Sequence, residues 1–272
     1  IKNRNVEILN FYTWTRIKSP FLFTFFVIFK VWQLKPSATL SFLSAFALPV
    51  IMAKLLFFWR EMRIVVNEDH YTSGIVPLFP YPKINRLGIK FLYPLADAII
   101  SPTNMAKKDL HENFNVPEKK VKIISNWTIL SNKTIKTHKK NYDLIYTGRL
   151  VKRKRVINLI KAVKKLKKTK PDVSLIILGD GEERVSLERY VTRKNLDKNV
   201  KFLGAIEDVS KYLERSKVFV FFTSYGGEGF PLAILEAMAL CVPILTFEFA
   251  GVEDVIRDGE NGFIFKTTQE FS

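Results

Sequence analysis

Apolar residues along this chain fall into short runs whose period switches between two and about 3.6, the mark of strands alternating with helices. The first run, Pro20–Phe29, is too short to span a bilayer. The stretch from Pro36 to Ala53 has no charge over 18 residues and is followed by Lys54 and Leu55–Trp59. A membrane helix needs roughly 20 mostly apolar residues. This stretch also carries Pro36, Pro49, three serines and a threonine. It therefore reads as a strand, Ala38–Phe42, followed by a buried helix at about Leu48–Trp59. Next come a strand at Arg63–Val66 with the polar Asn67-Glu68-Asp69-His70 at its end, and a helix near Asn85–Pro94. The strand Ala98–Ser101, a helix at about Asn104–Asn113 and the strand Val121–Ser125 complete the first half. This is the rhythm of a parallel sheet with helices on both faces.

Leu130 to Asn141 is polar and lysine-rich, with no hydrophobic period, and reads as a linker. It divides the chain into a first domain (1–130), a linker (131–141) and a second domain (142–272). The rhythm restarts with the strand Leu144–Thr147 and a helix from about Val156 to Lys168, where Val156, Leu159, Ile160, Val163 and Leu166 share one face. The strand Val173–Leu178 ends in Gly179-Asp180-Gly181. A helix at Glu183–Lys194, the strand Val200–Leu203 and a short helix at Val209–Glu214 follow. Val218–Phe222 is apolar all round, as expected of a strand buried on both faces. The last units are the helix Leu232–Leu240, the strand Pro243–Phe247, a helix at Glu253–Asp258 and the strand Gly262–Phe265. The fold class is α/β, with two doubly wound domains.

Charge separates the halves. The net charge of the 272 residues is +17, of which +13 lies in residues 1–140 and +4 in the rest. A balance that basic suits a polyanionic partner: nucleic acid, an anionic membrane surface or a phosphorylated substrate. The single cysteine, Cys241, makes no internal disulfide, so a disulfide-stapled secreted fold is excluded and a reducing, cytoplasmic setting fits. Ile1 is not an initiator methionine, and a helix is expected to begin at Gln269–Ser272. The chain reads as an internal fragment.

Two segments can carry chemistry. In Gly226-Gly227-Glu228-Gly229-Phe230-Pro231-Leu232, a buried strand runs into a glycine-rich loop and a helix starting at about Pro231, where proline is favoured at the first position. Gly227 and its neighbours let the backbone approach a ligand. The free N–H groups of Gly229, Phe230 and Leu232 then form a phosphate site at the positive end of the helix. Glu236, two turns into this apolar helix, needs a partner that ribose hydroxyls can supply. The plainer reading is a glycine turn and a helix with one satisfied glutamate. The second segment, Gly148-Arg149-Leu150-Val151-Lys152-Arg153-Lys154-Arg155, lies at the carboxyl end of a strand, where ligands of such sheets bind. Arg149 can grip a diphosphate bidentately and Lys154 can add a point charge. On its own, such a run is usually a solvated face or a phosphate-backbone contact.

Glu228 and Glu236 form an E-x7-E pattern, and Arg149 and Lys154 a GRL…K pair. With LGDGEER, VKFLGAIEDVSKYLERSKVFV, LEAMAL and GVEDVIRDGENGF, the chain resembles the family-4 (group 1) retaining glycosyltransferases of the GT-B fold. LYPLADAIISPTNMAKKDL and VKIISNW resemble the run-up to that family's interdomain linker. The resemblance covers roughly 85–272 well and 1–84 through its rhythm alone. It implies two Rossmann-like domains facing a cleft, with Arg149 and Lys154 neutralising the leaving diphosphate, Glu236 holding the ribose, and Glu228 near the transferred sugar. His70 corresponds to a histidine that the family places against the donor sugar, and its alternative is a surface-loop histidine. Arg155 stands where the family often has glycine. The first βα unit and the last helices of the family are not represented.

The implied donor is a UDP- or GDP-linked sugar, with no cofactor. No His/Asp cluster has metal-ligand spacing, and fixed cations with helix N–H groups can stabilise the departing charge. The acceptor is a glycan or a lipid-linked molecule. The basic first half, with Phe21–Phe29 and Leu55–Trp59, suits an anionic bilayer, hence a peripheral cytoplasmic location on the inner membrane face. Alternatives are a catalytically inactive scaffold or a basic nucleic-acid-binding protein. The latter predicts aromatics interleaved with lysines or a recognition-helix motif. Lys152–Arg155 and Lys164–Lys170 have no aromatic neighbours and no such motif occurs, so nucleic acid is not expected.

Overall fold

The computed structural model describes residues 19–128, 130, 138–223 and 228–266. The chain divides into two compact units. One comprises 1–69, 76–101 and 107–122; the other comprises 70–75, 102–106 and 123–272. Most of the 131–141 linker lies outside the described residues.

In the first unit, helix α1 (Pro20–Leu34) starts where the Ser19 hydroxyl accepts from the Leu22 N–H at 3.5 Å, with Pro20 in its first turn. It stops at Lys35, which is left-handed with φ 49°. The helix is longer than the run Pro20–Phe29, because a segment apolar all round has no period to mark its end. Strand β1 (Ala38–Phe42) is where the sequence puts it. Helix α2 (Ser44–Leu56) begins four residues before Leu48, takes in Pro49, and ends before Trp59. Strand β2 (Arg63–Asn67), helix α3 (Pro82–Leu92), strand β3 (Ala98–Ser101), helix α4 (Asn104–Phe114) and strand β4 (Val121–Ile123) follow. The sheet order is β1-β2-β3-β4, with β1–β2 and β2–β3 parallel. One core joins Phe23, Val27 and Val31 of α1 and Ala47, Val50 and Ile51 of α2 to Ile64 and Val66 of β2 and Ile99 of β3. Among the described residues, no helix is long and apolar enough to cross a membrane.

The second unit contains strand β5 (Tyr142–Thr147), helix α5 (Val156–Leu166), strand β6 (Leu175–Leu178), helix α6 (Arg184–Arg193), strand β7 (Val200–Gly204), strand β8 (Ser216–Phe221), helix α7 (Leu232–Ala239), strand β9 (Ile244–Phe247) and strand β10 (Gly262–Phe265). The expected helix at Glu253–Asp258 is only a 3-10 turn, Val252–Asp254, entered through left-handed Gly251. The sheet order is β10-β9-β8-β5-β6-β7 with parallel pairings. Alternate residues of β5 feed opposite cores. Leu144 and Tyr146 pack with α5 and α6, whereas Ile145 packs with Phe219, Phe221 and Ile234. This two-sided burial is why β5, β6 and β8 lack polar alternation. The order reverses between β5 and β8, and their carboxyl ends therefore flank the crevice where ligands of such sheets bind.

Candidate active site

Both sequence-selected segments emerge at that reversal point, Gly148–Arg155 after β5 and Glu228–Leu232 after β8. The first loop is braced by the turn after β6. Gly148 N–H donates to the Leu178 carbonyl at 3.0 Å, Leu150 N–H to Asp180 at 2.9 Å, and Glu183 N–H to Leu150 at 2.9 Å. Gly179 and Gly181 make this approach possible. A Cβ on Gly179 would lie 1.9 Å from the Gly148 carbonyl oxygen, and one on Gly181 would lie 2.4 Å from that of Leu150. Sequence reasoning gave Gly179-x-Gly181 no role. The residues it presses against lie about thirty positions earlier, so nothing local marks the contact.

After Leu150 a 3-10 turn, Lys152–Lys154, leads into α5 through Arg155, whose φ of 46° and ψ of 32° are left-handed. That conformation suits glycine, so the departure noted at Arg155 is a side chain placed where the backbone favours none. The turn swings Lys154 inward, leaving it 7% exposed. Its Nζ sits 4.7 Å from the centroid of the Phe221 ring and 2.7 Å from Glu228 Oε1. Arg153 Nη1 reaches the same oxygen at 2.7 Å. Lys154 and Glu228, expected at one site, are thus in direct contact. Arg153 and Phe221 are partners that the sequence did not suggest. Burial and the Arg153 and Arg149 charges pull the Lys154 ammonium below the ordinary lysine range, while Glu228 opposes them.

Arg149 is exposed at the rim, and its carbonyl accepts from the Tyr146 hydroxyl at 3.3 Å. The Tyr146 phenol lies beneath the cluster. Burial pushes its pKa up, Glu228 adds to the rise, and Arg153 and Arg149 oppose it.

On the β8 side, Gly227 lies outside the described residues. Gly229 and Phe230 are buried. The Phe230 carbonyl accepts from Asn126 Nδ2 at 3.0 Å, which ties the loop down. Pro231 is not the first helical residue but the cap, with ψ 120°, and α7 begins at Leu232. The N–H groups of Gly229, Phe230 and Leu232 precede the α7 ladder. Glu236 is half-buried, and burial alone raises its pKa. His70 belongs to the 70–75 stretch grouped with this unit. Its Nδ1 is buried with no hydrogen-bond partner.

Arg153 and the buried Lys154 meet one carboxylate, Glu228, with the exposed Arg149 on the same loop; Glu228 lies four residues before α7, which carries the half-buried Glu236. Such a site suits an anionic, hydroxyl-bearing ligand.

Residues 130–272, more than half of the chain, match the family of glycosyl transferases group 1. The chain belongs to that family. It is 30% identical over 228 residues to the N-acetylgalactosamine-N,N'-diacetylbacillosaminyl-diphospho-undecaprenol 4-alpha-N-acetylgalactosaminyltransferase of Campylobacter jejuni, covering 82% of this chain and 60% of that one. It is 38% identical over 117 residues to a lipopolysaccharide core biosynthesis glycosyltransferase of Rhizobium meliloti, covering 43% and 33%. Among solved structures, Anabaena HepE in complex with UDP and glucose aligns with a TM-score of 0.74 at 19% identity, over 97% of this chain and 71% of that one. That likeness is one of fold, and it takes in residues of both units. The chain spans about half the length of the curated relatives it matches.

Proposed function

We propose that this protein is a retaining glycosyltransferase of family 4 that moves a sugar from a nucleoside-diphosphate donor to a glycan or lipid-linked acceptor in cell-surface polysaccharide or glycolipid synthesis. The observation that carries this reading is the contact of Lys154 with Glu228 at the carboxyl ends of β5 and β8, with Arg149 on the same loop as Lys154. In the reaction the bond between the anomeric carbon and the diphosphate oxygen breaks, an acceptor hydroxyl oxygen bonds to that carbon on the same face, and the proton it loses goes to the departing diphosphate. Charge grows on the leaving diphosphate. Arg149, Lys154 and the N–H groups before α7 meet it with positive potential. The reading invokes no metal or cofactor. Glu236, whose carboxyl has only burial acting on it, accepts from the ribose hydroxyls. Glu228 orients the sugar hydroxyls near the phosphates. His70 offers its unpartnered ring nitrogen to the donor sugar.

The same reading takes the acceptor to an anionic bilayer on the cytoplasmic face. Helix α1 buries only the stripe Phe23, Val27 and Val31 and leaves Phe25 69% exposed. Arg60 Nη1 donates to the Trp32 carbonyl at 3.1 Å and lies over the Phe57 ring, which joins the end of α1 to Phe58 and Trp59, 80% and 64% exposed. Aromatic side chains beside Lys30, Lys35 and Arg60 suit a headgroup region.

The test is thermal shift with UDP- and GDP-sugars on this chain and on Glu236→Ala. Stabilisation by one nucleotide class, lost in the variant, is expected. Equal stabilisation of both proteins would refute the ribose role, and no stabilisation of either would refute the donor site.

A further inference from the structure

Glu228 is held by two cations on one oxygen, Arg153 Nη1 and Lys154 Nζ, each at 2.7 Å. Only one of them is spoken for by the donor-site reading. A lysine that must neutralise a departing diphosphate is, in this structure, the buried counter-ion of a carboxylate. If it turned to the phosphates with nothing to replace it, Glu228 would be left partly buried and unpaired, next to two further negative charges. Removing one partner from such a pair is strongly unfavourable.

We propose that Arg153 is a positioning residue that stays on Glu228 and neutralises it, so that Lys154 can transfer its ammonium to the donor diphosphate. This rests on the donor-site reading above. The guanidinium suits the role. It is always charged, is more weakly hydrated than an ammonium, and presents several donors in a rigid fork. The Lys154 ammonium is a compact point charge on a flexible stem, able to pivot over the Phe221 ring without leaving it. Arg153 and Lys154 are adjacent on one 3-10 turn. The turn therefore delivers one fixed and one movable cation to the same carboxylate. With Arg153 in place the cluster of Arg149, Arg153, Lys154 and Glu228 carries two net positive charges, the complement of a diphosphate.

The experiment is calorimetric titration of the wild type, Arg153→Met, Arg153→Lys, Glu228→Gln and the double variant Arg153→Met/Glu228→Gln. The probes are the nucleoside diphosphate that binds and its parent nucleoside. Arg153→Met should weaken the diphosphate by on the order of tenfold, the size of one partly buried charge contact, and leave the nucleoside unchanged. Arg153→Lys should recover most of the loss. In the Glu228→Gln background the Arg153→Met change should cost less than twofold, because there is no longer a carboxylate to neutralise. Equal losses of diphosphate affinity in both backgrounds would overturn the proposal and make Arg153 a direct donor contact. Unchanged affinity in Arg153→Met would reduce the pair to a structural one. If the wild type binds no nucleoside diphosphate, the donor-site reading falls and this inference with it; the two failures are distinct. Should Arg153→Met fail to fold, Arg153→Gln repeats the cycle with a shorter neutral side chain.

Discussion

Glu68 gives a stability test independent of any ligand. It follows β2 in the first unit, is wholly buried, and accepts from the hydroxyl of the equally buried Tyr93. Burial pushes its pKa up from 4.5 to about 7, with Asp69 and Asp109 adding to the rise and the Tyr93 bond opposing it. Between these limits the folded protein holds a proton that the unfolded chain has released. Its contribution is therefore fully present below about pH 4.5 and is lost as pH rises through about 7. At 1.36 kcal/mol per unit, the shift amounts to about 3 kcal/mol in all, of which about 2–3 kcal/mol disappears between pH 5 and pH 8. Glu68→Gln keeps the shape and removes the titration. Denaturant unfolding at several pH values, followed by the fluorescence of Trp32 and Trp59 in the same unit, should show wild-type stability falling relative to the variant by that amount. Taking the difference cancels the titrating groups that do not interact with Glu68. Parallel pH profiles for the two proteins, or a wild type that gains on the variant as pH rises, would refute the account of Glu68 as a carboxyl kept protonated by burial.

Three further outcomes follow from the geometry. Gly179→Ala should destabilise by about 3 kcal/mol or more and abolish nucleotide-dependent thermal shift, because its methyl group would displace the Gly148 carbonyl and with it the Arg149 loop. Arg155→Gly, at an exposed left-handed position, should raise stability by about 0.5–1 kcal/mol in denaturant unfolding, net of the freedom that glycine adds to the unfolded chain. Co-sedimentation with vesicles containing anionic lipid should be strong at low salt and weaken at high salt, and the double variant Phe58→Ser/Trp59→Ser should reduce it severalfold; no binding by the wild type would refute the membrane surface.

What the sequence disclosed depends on how far apart the interacting groups lie along the chain. The strands β3 and β10 sit where their apolar runs put them, because a buried strand bounded by polar residues is a local signal. The end of α1 was not visible, since a helix apolar on every side offers no periodicity to break; Lys35 stops it by its backbone conformation. The helix expected at Glu253–Asp258 shrinks to a single turn that leaves helical geometry at Val255, φ −120°, and the Arg257 N–H donates to Asn261 Oδ1 at 2.8 Å rather than to a helical carbonyl. Gly251, which opens the turn with φ 85°, could carry a Cβ only by pressing on the Thr103 side chain at 3.0 Å.

The site divides in the same way. The segments that carry Arg149, Lys154, Glu228 and Glu236 stood out because their residue types and spacing are a local signal, and the structure brings Lys154 against Glu228. What holds them did not stand out. Arg153 meets Glu228 across 75 positions, and in the sequence it is one cation among four in succession. Phe221 is an ordinary core residue of β8 until the Lys154 ammonium lies over its ring. Gly179 and Gly181 matter only because another loop presses on them. A group that must touch a ligand has to stand at the open end of the sheet, and that constraint leaves a local signature. A group that steadies it from the side can come from any element the fold brings near. One supporting group, Arg153, also bears on the Lys154 ammonium, after burial and Glu228 and together with Arg149, and its contact with Glu228 is visible only in the three-dimensional structure.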